Sequence, residues 1–126
     1  MDENKVRQDI EDIRRLLASY CFAIDARDAD AWANLFTEDG IFHYELGEPI
    51  SGKAALRAFI AVVPDDRHHF TMNEIIDVDG DTATVKAYAL VTRESPPIIS
   101  AVGEYDDSLS RTSEGWRFAR RVYSPH

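Results

Sequence analysis

An apolar stripe at the start of the chain is the feature that most limits how this sequence can fold. Its members lie three or four positions apart and therefore share one face of an α-helix; they are Val6, Ile10, Ile13, Leu17, Tyr20 and Ile24. The spacing predicts a long amphipathic helix over roughly positions 3 to 26. Such a helix buries its apolar face against a second layer of structure, which the remaining residues must supply.

Two shorter helices and a strand are expected next. Asp28 is typical of an N-cap, and the helix that it begins is expected to end near residues 38 to 40. A short strand over positions 41 to 45 precedes a third helix, which is expected to be capped around Ser51 and to end before Pro64. These elements lie between the long helix and the strand-rich half of the chain.

Two β-hairpins are predicted in the second half of the chain. The first joins residues 67–78 to residues 82–92 through Asp79-Gly80, a dipeptide that accepts positive φ and favours a tight turn. The second joins residues 98–111 to residues 116–123. Because the helices are segregated from the two hairpins, this order predicts an α+β fold in which a curved antiparallel or mixed sheet wraps the long helix.

Size and charge narrow the class of protein. The length of 126 residues, with 44% hydrophobic and 29% charged side chains, predicts one globular domain over positions 1 to 126 with room for a modest cavity. The net charge of −9 argues against nucleic acid and anionic membranes as partners, because both require clustered basic residues. The one basic group, Arg117, Arg120 and Arg121, is expected to pair with the acidic excess.

Several functional classes find no support in the sequence. Cys21 is the only cysteine, so an internal disulfide is excluded and the residue is expected to lie in the core. The charged N-terminus and the lack of a long apolar run predict a cytoplasmic protein without a membrane span. No phosphate-binding loop, dinucleotide fingerprint or HExxH pattern occurs, and we expect neither a cofactor nor a metal.

Asp25 is the first candidate for chemistry. It follows Ile24 at the end of the long helix, so its side chain is expected beside the buried stripe, where an unpaired charge would be costly. The alternative is a solvated residue at the helix end, a position that is electrostatically poor for a carboxylate. Asp28 needs no such role, because capping explains it.

Two adjacent histidines are the second candidate. His68 and His69 lie in a predicted strand and must point to opposite faces of the sheet, so only one of them can line a pocket. With regular alternation, the residues on the face of His69 would be Thr71, Asn73 and Ile75, and those on the face of His68 would be Phe70, Met72 and Ile76. Both sets contain apolar residues, so the alternation leaves the choice open.

A pairing of Asp25 with His69 would form a general base. A carboxylate that accepts one ring N–H fixes the imidazole tautomer and makes the other nitrogen more basic. Further candidates for contact with a substrate are Tyr20, Tyr44, Tyr88 and Asn73, of which the tyrosines could donate to a substrate oxygen. For each tyrosine the alternative is a core residue that only fills space.

Two segments of the chain resemble a known family. LLASYCFAIDARDADAWANLFTEDGIF is similar to the opening of SnoaL-like, or nuclear transport factor 2-like, proteins, and RHHFTMNEIIDVDGD with GEYDDSLSRTSEGWRFARR is similar to their sheet half. The resemblance implies a cone-shaped fold around a pocket without a cofactor, a small hydrophobic substrate, and a homodimer or homotrimer. It does not specify the reaction, because one fold serves many functions.

Within this superfamily the pattern most resembles scytalone dehydratase, hexachlorocyclohexane dehydrochlorinase and bile acid 7α-dehydratase. That resemblance implies an acid/base dyad at Asp25 and His69. Tyr88 stands where scytalone dehydratase has a second catalytic histidine, which is a departure from that enzyme. The strand on which ketosteroid isomerase carries its base aspartate here reads Ile41, Phe42, His43, Tyr44, so that mechanism is not supported.

These observations lead to two competing hypotheses. The first is a cofactor-independent lyase, with elimination of water as first choice, or an isomerase acting on a small, mostly apolar cyclic substrate through the Asp25–His69 dyad. The second is a non-catalytic protein that binds a small ligand or a partner and in which the same pair is structural. An open cavity beside His69 would favour the first hypothesis, and a sealed one the second.

Overall fold

Three helices and six strands make up the fold, which is known from a computed structural model that describes residues 2–126. In chain order they are α1 (Glu3–Asp25), α2 (Ala29–Ala33), β1 (Phe36–Tyr44), β2 (Ile50–Ser51), α3 (Lys53–Ile60), β3 (Arg67–Asp79), β4 (Thr82–Arg93), β5 (Ile98–Thr112) and β6 (Gly115–Pro125). The predicted α+β class, with a long N-terminal helix and a curved mixed sheet, is confirmed.

The long N-terminal helix follows its predicted bounds closely. It begins after Asp2, whose side chain accepts a hydrogen bond from the backbone N–H of Asn4 at 2.9 Å. The predicted stripe is buried from its middle onward, at Ile13, Leu17, Tyr20 and Ile24. Cys21 lies in the same core, as expected. α1 packs on the inner face of the sheet, mainly against β3.

The second helix is shorter than predicted. Asp28 caps it as expected, through a 3.1 Å hydrogen bond from the backbone N–H of Ala31. However, α2 ends at Ala33, and residues 38 to 40 belong to β1. From Leu35 onward the backbone pairs with β6, where the N–H of Phe118 donates to the Leu35 carbonyl at 2.9 Å, and Lys53 donates to the carbonyls of Ala33 at 3.0 Å and Phe36 at 2.9 Å.

The cap predicted for the third helix is also wrong in detail. Ser51 belongs to the short strand β2, and Gly52 occupies the N-cap with a φ of +87° and no side-chain hydrogen bond. Glycine adopts this left-handed conformation without strain, so the backbone rather than a hydroxyl defines the start of the helix. α3 ends at Ile60, before Pro64 as predicted.

The six strands form one sheet in the order β2-β1-β6-β5-β4-β3. Both predicted hairpins are present, as β3–β4 and β5–β6, and β1 runs parallel to β6. The register shifts within four of the five strand pairings, which are β1–β6, β3–β4, β4–β5 and β5–β6. Such bulges bend strands and increase their twist, so the sheet curves around the helices.

One bulge changes which residues of β3 face inward. Asn73 has a φ of +59° at the register shift between Met72 and Ile75. Thr71 faces inward with His69, but beyond the bulge Ile76 packs on the core and Ile75 is 61% exposed. The regular alternation expected from the sequence is therefore wrong after Thr71.

An ion pair between the buried Asp9 and the partly exposed Arg111 joins the first half of α1 to the sheet. Asp9 accepts two hydrogen bonds from the guanidinium of Arg111, at 2.7 and 2.9 Å, and a longer one from Trp116 at 3.3 Å. The hydrogen bond from Arg111 lowers the pKa of Asp9 to about 2. This ion pair thus anchors the helix that ends at Asp25 to the β5–β6 hairpin.

None of the helices within residues 2–126 is both long and apolar enough to span a bilayer.

Candidate active site

Asp25 and His69 are in direct contact where α1 meets β3. Nδ1 of His69 lies 2.7 Å from Oδ1 of Asp25. The backbone N–H of His69 donates to the same carboxylate, at 3.0 Å to Oδ1 and 3.2 Å to Oδ2. One residue of β3 thus satisfies the carboxylate through both its ring and its backbone, which fixes the orientation of the imidazole.

The hydrogen bond to Asp25 assigns the His69 tautomer. Because the carboxylate accepts from Nδ1–H, Nε2 of the neutral ring carries a free lone pair, and it makes no hydrogen bond to residues 2–126. Burial lowers the pKa of His69, and the hydrogen bond and negative charge of Asp25 only partly oppose this effect. His69 is therefore neutral at neutral pH and able to accept a proton at Nε2.

The choice between the two histidines falls on His69. His68 points to the outer face of the sheet, where its Nδ1 lies 3.2 Å from Glu94 and its side chain is 49% exposed. The side chain of His69 is only 12% exposed and borders a cavity that opens to solvent. Strand alternation forces this opposition, so the two residues cannot share one site.

The cavity beside His69 has a volume of about 480 Å³ and lies between α1, α3 and the inner face of the sheet. This volume is within the roughly 300–1,000 Å³ range of small-molecule sites. Most of its wall is apolar, and representative residues are Ile24, Phe42, Phe59, Val63, Val91 and Ala101. The polar groups that reach it are few, as expected of a site that orients a mostly apolar ligand.

Only two of the four predicted contact residues line this cavity. Tyr20 lies in its wall and is almost fully buried, whereas Tyr44 is 41% exposed. Asn73 and Tyr88 lie instead along a small depression outside it, contrary to the expectation. The bulge displaces Asn73, and Tyr88 alternates with the buried residues Ala87 and Ala89, so it points away from the core.

Three further polar residues of the cavity were not singled out from the sequence. Tyr105, Tyr123 and Arg67 line the same space as His69. The alternation in β5 could have identified Tyr105, which shares its buried face with Leu109. Arg67 forms an ion pair with the neighbouring Asp66. No local pattern marks Tyr123, because its position depends on how β6 pairs with β5 and β1.

A buried cation lies behind two of the tyrosines. The guanidinium carbon of Arg121 lies 3.4 Å from the ring centroid of Tyr105 and 4.2 Å from that of Tyr20. Its Nε donates to Asp107 at 2.9 Å, and both side chains are fully buried. Burial raises the pKa of Asp107 to about 6 although Arg121 opposes this, so the pair is ionised at neutral pH. The expected pairing with an acidic residue thus holds for Arg121.

The other two arginines of the basic group have different partners. Arg117 donates to the backbone carbonyl of Trp116 at 2.9 Å, and Arg120 contacts the ring of His43 at 3.2 Å. The expected pairing of these two with the acidic excess is therefore wrong.

Within residues 2–126, no group of three or more His, Cys, Asp or Glu side chains is arranged to hold a metal ion.

Comparison with known proteins agrees with the fold and the order of its elements. A family model described as a SnoaL-like domain matches residues 6–122. The chain belongs to the SnoaL-like family. The family resemblance inferred from the sequence is thereby confirmed over residues 6–122 of this SnoaL-like protein.

Three solved structures illustrate this relationship. A protein of unknown function from Mycobacterium tuberculosis is 34% identical with a TM-score of 0.91, covering 98% of this chain and 75% of that one. A nuclear transport factor 2-like protein with a cystatin-like fold from Novosphingobium aromaticivorans is 31% identical, with a TM-score of 0.89 and coverage of 96% and 84%. A provisionally named scytalone dehydratase from the same organism is 24% identical, with a TM-score of 0.83 and coverage of 98% and 86%. This last likeness concerns the fold alone.

Proposed function

We propose that this SnoaL-like protein is a cofactor-independent lyase or isomerase in which His69, oriented by Asp25, removes a proton from a small, mostly apolar cyclic substrate. The observation that carries the proposal is the contact of His69 with both Asp25 and a cavity of about 480 Å³. A ring nitrogen held by a carboxylate on one side and free on the cavity side is the arrangement that general-base catalysis requires.

The protonation states of the cavity groups support this assignment. Burial lowers the pKa of His69 and raises the pKa values of Tyr20 and Tyr105. At neutral pH the histidine is therefore a base, while the tyrosines keep their protons and can donate hydrogen bonds. Opposite shifts within one site are typical of paired acid and base roles.

Elimination of water is the reaction that we favour. Nε2 of His69 takes a proton from a carbon next to a carbonyl, and the electrons of the C–H bond move toward the carbonyl oxygen. The electrons then return from the oxygen to form a double bond between this carbon and the adjacent β-carbon, the C–O bond of the hydroxyl on the β-carbon breaks, and the imidazolium gives its proton to the departing oxygen to form water. Tyr20 lines the cavity and would donate to the carbonyl, and the charge of Arg121 behind its ring would stabilise the developing negative charge.

The decisive experiment combines a ligand screen with two variants. Hydroxylated and halogenated cyclic compounds are first tested for thermal stabilisation, because ligands that bind the native state raise the melting temperature. Turnover of each hit is then compared between the wild type, His69→Ala and Asp25→Asn. We expect both variants to lose roughly a hundredfold to ten-thousandfold in kcat/KM while keeping the wild-type circular dichroism spectrum. If activity survived both changes, the dyad would not be catalytic.

Oligomerisation belongs to the same proposal. The outer face of the sheet carries half-exposed or more exposed apolar side chains, among them Ile75, Tyr88 and Val102. Burial of this face against a second copy would remove apolar surface from water. We therefore propose a homodimer or homotrimer.

A further inference from the structure

A single permanent charge lies in the wall of the cavity beside His69. Among the residues within 2–126 that line this cavity, Arg67 alone has a side chain that is ionised at neutral pH. The other polar side chains of the wall are His69, which is neutral there, and tyrosines. The proposed mechanism assigns no role to Arg67.

The strand that carries the base also places Arg67. Arg67 precedes His69 by two residues in β3, before the bulge at Asn73, so both side chains lie on the inner face of the sheet. Two residues of a strand span roughly 7 Å, which one small molecule can bridge. The side chain of Arg67 is 23% exposed and follows the exposed Pro64. Arg67 therefore lies where the cavity opens to solvent.

The guanidinium of Arg67 has unused hydrogen-bond donors. Its Nη1 donates to the carboxylate of Asp66, whereas Nε and Nη2 make no hydrogen bond to any of residues 2–126. Neither of these two nitrogens is buried. Nε–H and Nη2–H lie side by side on one edge of the planar group, and such an edge can bind a carboxylate through two parallel hydrogen bonds. Asp66 leaves this edge free.

A second arginine lies directly opposite Arg67. The register of β3 and β4 pairs Arg67 with Arg93. Glu94, the neighbour of Arg93 along the chain, pairs instead with His68 on the outer face of the sheet. Like charges at opposed positions of a sheet repel each other, so an anion bound at Arg67 would offset this repulsion.

We propose that Arg67 determines substrate specificity by binding a carboxylate of the substrate through Nε–H and Nη2–H. The substrate class is an apolar cyclic acid whose ring lies in the cavity beside His69 and whose carboxylate stays at the opening. The inference rests on the proposed function for the cavity being the substrate site. Recognition of the carboxylate is a binding property and needs no turnover.

The test compares cyclic carboxylates with their neutral amides, which have nearly the same shape. Dissociation constants of cyclopentane-, cyclohexane- and adamantanecarboxylate and of the three matching carboxamides are measured by calorimetry at neutral pH. The proteins are the wild type, Arg67→Gln and the matched control Arg15→Gln, whose side chain is exposed on α1 and does not line the cavity. In the wild type and the control, at least one carboxylate should bind roughly tenfold to a hundredfold more tightly than its amide, as expected for hydrogen bonds between charged groups. In Arg67→Gln this preference should fall below about threefold.

Two neighbouring variants distinguish direct contact from overall charge, and they test the inference even if Arg67→Gln does not fold. Arg93→Gln removes the same charge one strand away, but Arg93 does not line the cavity, so the preference should fall by less than about threefold. Asp66→Asn removes the negative charge beside Nη1 and should leave carboxylate binding unchanged or make it tighter. The melting temperature of Arg67→Gln should stay within about 3 °C of the wild type, because the ion pair that it loses is partly exposed.

The outcomes also separate this inference from the proposed reaction. No preference for carboxylate in any wild-type pair, or a preference that survives Arg67→Gln, would overturn the role of Arg67. Weaker carboxylate binding in Asp66→Asn, or an equal loss of preference in Arg93→Gln, would overturn it as well. The preference should persist in His69→Ala, because the neutral imidazole carries no charge to attract the carboxylate. Full activity of the dyad variants would refute the reaction and leave the measured contact with Arg67 intact.

Discussion

Replacing Asp9 by Asn should destabilise the protein by about 2 kcal/mol at neutral pH. The asparagine keeps one oxygen that can accept from Arg111 and Trp116, but its amide NH2 replaces the oxygen that accepts the second hydrogen bond from Arg111, so the negative charge and that bond are both lost. The magnitude follows from the pKa of Asp9, which is lowered from its ordinary 3.8 to about 2 by the bidentate hydrogen bond from Arg111. A difference of nearly two pKa units corresponds to about 2.5 kcal/mol, at roughly 1.4 kcal/mol per unit, and solvent screening at the partly exposed Arg111 brings the expected loss to about 2 kcal/mol.

The pH dependence of this difference has a definite sign. Because the pKa is lower in the folded state than in the unfolded state, the stabilisation is complete above pH 3.8 and is lost as the pH falls toward about 2. Urea unfolding of the wild type and Asp9→Asn should therefore show the full difference at neutral pH and about half of it near pH 3. At neutral pH the melting temperature should fall by roughly 6–10 °C.

A matched control lies one turn further along the same helix. Asp12 is exposed, and within residues 2–126 its side chain bonds only to that of Gln8, so Asp12→Asn should stay within about 0.5 kcal/mol of the wild type. The reasoning would be refuted if Asp9→Asn behaved like this control at neutral pH. A difference that kept its full size near pH 3 would refute it as well, because the effect could then not come from the charge.

Three further predictions concern the site and the assembly. On an identified substrate, kcat/KM should rise with pH, and the midpoint of this rise should lie below the ordinary histidine pKa of about 6.5 because burial lowers the pKa of His69. A midpoint above that value would contradict the assignment of His69 as the base. Arg121→Met should lower the free energy of unfolding in urea by roughly 3–5 kcal/mol, because it leaves Asp107 buried without its partner. The double variant with Asp107→Leu should recover most of this loss, and no recovery would show that the pair is not the cause. Sedimentation velocity at micromolar concentration should show a dimer or trimer, and a clean monomer would refute the proposed assembly.

The sequence predicted most of the fold because its strongest signals are local. The period of α1, the Asp28 cap and the Asp79-Gly80 turn each depend on neighbouring residues, and all three are present. The errors lie where tertiary contacts decide the structure. α2 ends early where the backbone from Leu35 onward pairs with β6. Asp9 is buried within the helical pattern only because Arg111 meets it from the sheet.

The candidate site was predictable in part for the same reason. The contact between Asp25 and His69 joins residues 44 positions apart, and it was inferred from the chemistry of the pair and a family resemblance. Asn73 was misplaced because a bulge interrupts the alternation of β3, and a bulge leaves little trace in the sequence. Tyr123 was missed because its ring lies over a glycine of the neighbouring strand.

The position of Asp25 at the end of α1 bears on how the stability of His69→Ala should be interpreted. A negative charge is unfavourable at a helix C-terminus, so this carboxylate depends on donors from outside the helix. His69 supplies them from its ring and also from its backbone N–H, at 3.0 and 3.2 Å. His69→Ala removes the ring and keeps the backbone donor, so Asp25 stays partly satisfied and the stability loss should remain below about 2 kcal/mol. A larger loss by urea unfolding would mean that the imidazole is chiefly structural, which would favour the non-catalytic hypothesis.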